Sequence, residues 1–398
     1  MTRVAIVGIH EYPSRLTDGS VDALRIKAHS AARALDDAGL SWSDVDALYD
    51  TGDGLAWPGL YMPEYLDLDL RILDTTAVGG SAYEFQVGHA LADLGTGRAD
   101  VALLTYGATT RSANRKVGLN SASIRTEPDN PMTDMEECWG STLVADYAMV
   151  AARYMHDHGT TAEDLAEIAV TARYHAMRNP AAVQAISDLR LRPGPGEITI
   201  DDVLSSPLVA DPLRVLDCCV VSDGGGAVVL ATEAVARGCR SRPVWVRGAG
   251  QTSRFRRNRD DLTVTGAARS GPTAFEEAGI TPEDVDVAMI YDSFTITVLS
   301  TLEDLGFCGK GEAGDYIKGG RLRYDQPGAP ALNTDGGGLS SNHPGQRGLF
   351  LLIEAARQLR GESTAQVPGA SIAVAHGTGG TLGRRYASGT VVLGRDAA

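Results

Sequence analysis

The sequence predicts an α/β fold built twice over: two duplicated βαβ-rich halves with covered sheets, plus an inserted loop lobe. Three observations predict it. A motif near the start returns 240 positions later, from Ala34 to Ala274. Short, almost wholly apolar runs alternate with helical patterns, as strands covered on both faces require. And 43% of the 398 residues are hydrophobic, enough for two core-sized units or one large duplicated one.

The elements follow in order. The first half opens on the strand Val4-Ala5-Ile6-Val7-Gly8, and a helix then runs out at Ala38-Gly39. Gly39 suits the left-handed position after a helix, Ser41 caps the short helical turn that follows, and Ala47-Leu48-Tyr49 begins the next strand. The second copy repeats these physics: Val244-Trp245-Val246, then Ala278-Gly279, Thr281 as cap with Pro282 at the first helical position, and a strand from Val287. Residues 80–97 read as a turn and helix leading into a strand over 99–107, and their counterpart is 343–361, with a helix at 349–356, leading into 370–377. Each half closes on a strand-like run, 227–231 or 389–393, and 222–226 reads as a tight turn. The polar stretch 111–207 is too long for a connector and contains helical patterns, so it is expected to form a lobe over the cleft. Residues 1–110 with 208–240 then make the first half, and 241–398 the second.

Composition narrows the function classes. A formal charge of −15 repels nucleic acid and anionic membranes. The single basic cluster, Arg254, Arg256, Arg257 and Arg259, is either a solvated loop or a hold for an anionic nucleotide tail. Five cysteines show no metal-ligand spacing, and adjacent Cys218 and Cys219 are poorly placed to bridge. No signal-peptide pattern and no run of eighteen apolar residues occurs, so a reduced, cytoplasmic protein without a metal site is expected.

Four segments carry a family resemblance: residues 154–161, Tyr154-Met155-His156-Asp157-His158-Gly159-Thr160-Thr161, with Asn179-Pro180; residues 216–227, which contain Ser222-Asp223-Gly224-Gly225-Gly226; Asn333-Thr334-Asp335-Gly336-Gly337-Gly338-Leu339 through Asn342-His343-Pro344-Gly345; and His376-Gly377-Thr378-Gly379-Gly380. Together they resemble the thiolase superfamily, most nearly the sterol-carrier-type thiolases and their nucleophile-lacking relatives. Gly80 falls where the resemblance implies an acylable cysteine, and Val78, Gly79 and Ser81 beside it are not thiols. Ser81 reads as a helix N-cap rather than a substitute nucleophile.

Without a nucleophile, the resemblance to steroid side-chain retro-aldolases implies enolate chemistry on a β-hydroxyacyl-CoA, with a coenzyme A thioester as substrate and no covalently bound cofactor. Tyr291 is then the acid or base and His343 its partner, with a pKa near the reference ~6.5. His376 is a third candidate, since it or Gly377 matches the family's terminal-loop cysteine. Backbone N–H groups at Gly80, Ser81, Gly377, Gly379 and Gly380 are candidates for the thioester oxygen, and Asp292 and Asn342 for supporting hydrogen bonds. The resemblance also implies a homodimer, paired through the strand after the Gly80 turn, and a small zinc-ribbon/OB-fold partner in a two-plus-two complex. Two rival readings remain open: a Claisen-type acyltransferase using Cys138 or Cys308, and a non-catalytic scaffold for the partner.

Overall fold

The computed structural model describes residues 2–51, 58–113, 142–255, 261–382 and 385–397. Cys138 and Arg256, Arg257 and Arg259 lie outside them. The first half contributes β1 (Val4–Glu11), β2 (Ala47–Asp50), β3 (Ile72–Asp74), β4 (Val101–Ala108) and β7 (Gly224–Thr232). The second contributes β8 (Val244–Phe255), β9 (Val287–Ile290), β10 (Ala331–Leu332), β11 (Ile372–Gly380) and β12 (Arg385–Gly394). A hairpin of β5 (Leu208–Ala210) and β6 (Leu213–Arg214) stands apart.

The strand order, β10-β9-β11-β12-β8-β1-β7-β4-β2-β3, reads as one five-strand pattern followed by its mirror image. Where the sequence suggested a separate sheet for each half, β1 and β8 join the two into one ten-stranded sheet through Ala5 opposite Trp245 and Ile6 opposite Val244. The joint is only two pairs long because β8 leaves β1 to run beside β12 over most of its length.

The helices make the strands' burial two-sided. Tyr83, Val87, Ala90 and Leu94 of the helix Ala82–Gly95 share one core with Leu349, Leu352, Ile353 and Ala356 of the helix Gly348–Arg360 and with strand residues from both halves. On the outer faces, the helix Ala23–Ala38 covers the first half and the helix Ala267–Ala278 the second. Both of these stop as the repeat requires, at Gly39 (φ 75°) and Gly279 (φ 65°). Asp44 then accepts from the Ser41 N–H at 2.8 Å, as Asp284 does from the Thr281 N–H, also at 2.8 Å.

The lobe is built on the second half. Tyr147, Val150 and Tyr154 of the helix Leu143–His158, with Leu165 and Ile168 of the helix Ala162–Ala176, pack against Ile296, Val298 and Leu299 of the helix Thr295–Asp304. At about 1.5–3 kcal/mol for each fully buried large aliphatic side chain, this shared core fixes the lobe firmly.

Two expectations change. Residues 222–226 do not form a tight turn: β7 starts at Gly224 and runs straight, since Gly225 and Gly226 let the Tyr106 and His10 carbonyls approach. The strand after the Gly80 turn, β4, is hydrogen-bonded on both sides, to β2 and β7, and has no edge left for a partner. The free edge of the first half belongs to β3, before the turn. No helix among the described residues is long and apolar enough to cross a membrane.

Candidate active site

Gly79–Ser81 form a tight helical turn ahead of the helix Ala82–Gly95, and the end of β11 packs onto it backbone to backbone. A Cβ on Gly379 would stand 1.7 Å from the Val78 carbonyl oxygen, so only glycine allows that approach. Gly80 has a different reason to lack a side chain. Its Cβ would lie 2.2 Å from Tyr291 Cε2 and 2.5 Å from Tyr291 Oη, inside the space the phenol fills. The missing thiol and the tyrosine are therefore one structural fact, because the two compete for one volume.

Tyr291 follows β9 and is held there by its N–H, which donates to the His376 carbonyl at 2.9 Å. His343 is fixed from the other half, its N–H donating to Ser222 Oγ at 3.0 Å. Tyr291 Oη and His343 Nε2 meet at 3.0 Å, with the rings edge to face and both side chains buried. Burial, helped by the nearby Arg347 charge, pulls the His343 pKa down to about 3, and burial pushes Tyr291 well above 10. The expectation of an ordinary histidine is thus corrected. The resting pair is a neutral imidazole and a neutral phenol.

Beneath the pair lies a charge network that the sequence did not reveal. Arg347, fully buried, donates to both Asp335 oxygens and to the Asn342 carbonyl and side chain, and its Nε is 3.3 Å from Asp292. Asp292 accepts from the N–H groups of Gly338 and Leu339, and Asn342 donates to Glu11 at 2.6 Å. Burial raises Asp292 to about 6 despite the arginine. Asp223 works in the same way on the other side, accepting from the backbone of Thr17, Arg111 and Ser112. Together these groups clamp the loops that carry His343 and the cavity rim.

The pair opens onto a cavity of about 770 Å³. Its lining joins Gly79, Gly80, Tyr291, His343, Gly379 and Gly380 to the apolar Leu143, Val144, Tyr147, Val209, Val215 and Phe294. Three other site candidates sit behind this surface. Ser81 stands at the N-cap position but does not cap with its side chain, because the preceding turn aims its hydroxyl back at the Val78 carbonyl, 3.2 Å away. Gly377 packs against Glu84, and the His376 ring turns to Thr390, with Nδ1 2.8 Å from Oγ1. Burial takes His376 to about 3 as well.

Thiols do reach the cavity, but not the expected ones. Cys218 and Cys219 line it, whereas Cys308 does not. Burial pushes Cys218 and Cys308 up to about 12 and Cys219 well above 9, which suppresses the thiolate an acyl acceptor needs.

This arrangement, a mirrored pair of five-stranded halves with a histidine loop and a glycine turn meeting at a cleft, belongs to a known family. Residues 248–395 match the thiolase C-terminal domain-like model. The chain is 35% identical to the 17-hydroxy-3-oxo-4-pregnene-20-carboxyl-CoA lyase of Mycobacterium tuberculosis, over 95% of this chain and 97% of that protein. It is 33% identical to the steroid side-chain-cleaving aldolase of Thermomonospora curvata, over 89% of this chain and 90% of that one. Among solved structures, the Ltp2-ChsH2(DUF35) aldolase superposes with a TM-score of 0.86 at 29% identity, covering 98% of this chain and 97% of that one. The chain belongs to the thiolase superfamily.

Proposed function

We propose that this protein is a retro-aldolase that splits a β-hydroxyacyl-CoA thioester, with Tyr291 and His343 as its proton-transfer pair. The observation that carries the reading is the 3.0 Å hydrogen bond between Tyr291 Oη and His343 Nε2, set over a glycine that admits no nucleophile. The relatives' names, a CoA lyase and a side-chain-cleaving aldolase, support the reaction class.

The substrate's β-hydroxyl gives its proton to Tyr291 Oη as the phenol's own proton passes to His343 Nε2. The Cα–Cβ bond breaks, Cβ–O becomes a carbonyl, and the bonding pair moves into the thioester enolate. The backbone N–H groups of Gly80, Gly379 and Gly380 are the candidates to face the enolate oxygen. His343 returns the proton through Tyr291 to Cα, leaving a ketone or aldehyde and a shortened acyl-CoA. No proton is gained or lost overall, and because the phenol receives a proton as it gives one, a tyrosinate never has to form. His376 serves this scheme through its carbonyl, which fixes Tyr291, and Asp292 and Asn342 serve it through the Arg347 network.

The cavity's apolar wall suits a bulky, ring-containing carbonyl product, as the relatives' steroid substrates suggest. Val209 and Val215 line the cavity while remaining 50% and 43% exposed, so part of its mouth is apolar. The Ltp2-ChsH2(DUF35) aldolase supports a partner protein, and the one proposed, as the family resemblance implies, is a small zinc-ribbon/OB-fold protein, two copies with a homodimer of this chain. The test is mass spectrometry of the two products from a β-hydroxyacyl-CoA bearing a ring at Cβ. Tyr291→Phe and His343→Ala are each expected to lower turnover by about 10²-fold or more while the fold stays intact. Near-normal turnover in either variant would remove that residue from the mechanism.

A further inference from the structure

One buried titratable group takes no part in the acid–base pair. Glu84 stands in the first turn of the helix Ala82–Gly95 and is 1% exposed. Neither carboxyl oxygen has a hydrogen-bond partner elsewhere in the described chain. A Cβ on Gly377 would lie 2.0 Å from Glu84 Oε2, and one on Gly348 would lie 2.5 Å from the same oxygen and 2.4 Å from the Gly80 carbonyl oxygen. The carboxyl is therefore wedged against the backbone of Gly377 and Gly348 and close to Gly80, directly behind the glycine surface that faces the cavity.

Among the described residues, no charge compensates it. Across the glycine layer stand Tyr291 and His343, both neutral at rest. On the outer side, Glu84 borders a second hollow of about 470 Å³ with His89 and Glu277. His89 is engaged with Asp74 at 2.6 Å, and Glu277 accepts from the Ala249 N–H at 2.9 Å. An ionised carboxylate here would be 1% exposed with no cation beside it among the described residues, a cost greater than the tenths of a kcal/mol to about 1 kcal/mol that a helix N-terminus returns.

Resting on the retro-aldolase reading, we infer that Glu84 is a positioning residue that has to remain an uncharged carboxylic acid, packing the glycine layer from behind so that the enolate forms over a neutral wall. Ionisation would set a full negative charge behind the backbone donors and oppose the enolate's own charge through a medium of low dielectric. Burial raises the Glu84 pKa from the ordinary 4.5 to about 8, so the neutral form prevails at neutral pH and the charge appears only above it.

The test compares the pH profiles of kcat for the unsubstituted protein and Glu84→Gln, which keeps the shape and removes the ionisation. The unsubstituted enzyme is expected to lose rate above pH 8, approaching tenfold per unit. Glu84→Gln is expected to match the neutral rate and to show no such loss. Superimposable profiles, or a variant that is slow at neutral pH, would overturn the inference.

Thermal melting without substrate reads the same group independently of turnover. Because the folded pKa lies above the unfolded one, the group's contribution to stability is complete below pH 4.5 and is lost as pH rises to about 8. Glu84→Gln should therefore gain melting temperature relative to the unsubstituted protein across that window. A constant difference would sink the inference, whereas absence of turnover in the unsubstituted protein would sink the retro-aldolase reading instead.

Discussion

At the scale of single residues, Gly80 and Tyr291 compete for one volume, and on the proposed retro-aldolase reading that competition sets the reaction class. Restoring a β-carbon at position 80 cannot leave the phenol where it is, because the closest ring atom is 2.2 Å from that carbon's place. Gly80→Ala is accordingly expected to push the Tyr291 ring off His343 and lower kcat by about 10²-fold, the usual size of a lost acid–base contact. Stability should also fall, by about 1–3 kcal/mol, as overpacked cores do. The check is kinetic and structural together: a Gly80→Ala protein with unchanged kcat, or with the 3.0 Å contact intact, would show that the two side chains do not compete. The glycine was legible in the sequence as an absent thiol. The reason for it was not, since Tyr291 lies 211 positions away and only the fold brings the two together.

At the scale of elements, the parts readable from sequence were those whose physics is local. Gly39 and Gly279 end their helices, and the capped turns at Ser41 and Thr281 recur with the same hydrogen bonds. The short strands β3 and β10, three and two residues long, left no periodicity to find, and neither did the hairpin of β5 and β6. The support for the His343 loop was equally hidden. Arg347 looks like a surface arginine in sequence, yet it is fully buried and ties Asp335, Asp292 and Asn342 into one unit. Arg347→Met would leave two buried carboxylates without their cation, and it is expected to cost about 3–5 kcal/mol. Arg347→Lys keeps the charge but not the planar fork, so it should recover part of the stability and little of the turnover. Urea unfolding of the two variants decides it: if the methionine variant is as stable as the parent, the network is not what holds the loop.

At the scale of the whole molecule, the mirrored halves differ in what their outer edges offer. The first half ends at β3, whose Leu73 is 41% exposed, and the adjacent helix Pro58–Leu66 exposes Leu60, Tyr61 and Tyr65. A strand edge unpaired among the described residues and flanked by four large exposed hydrophobics is a poor surface for a monomer to present to water. Antiparallel pairing of β3 with its own copy about a twofold axis would satisfy the free backbone groups and cover these side chains at once, extending the ten-stranded sheet into its partner's. The homodimer that the family resemblance implies is therefore proposed to form at β3, not at the interior strand β4. Such an interface should bury upwards of ~2,000 Å² in total, as obligate dimers do. Leu73→Lys combined with Tyr65→Lys places charges of one sign on the shared edge, which repel across the axis. Light scattering is expected to show a dimer for the parent chain and a monomer for the double variant, with the far-ultraviolet circular dichroism unchanged. A monomeric parent chain would rule out the dimer itself, and a double variant that remains dimeric would move the interface away from β3.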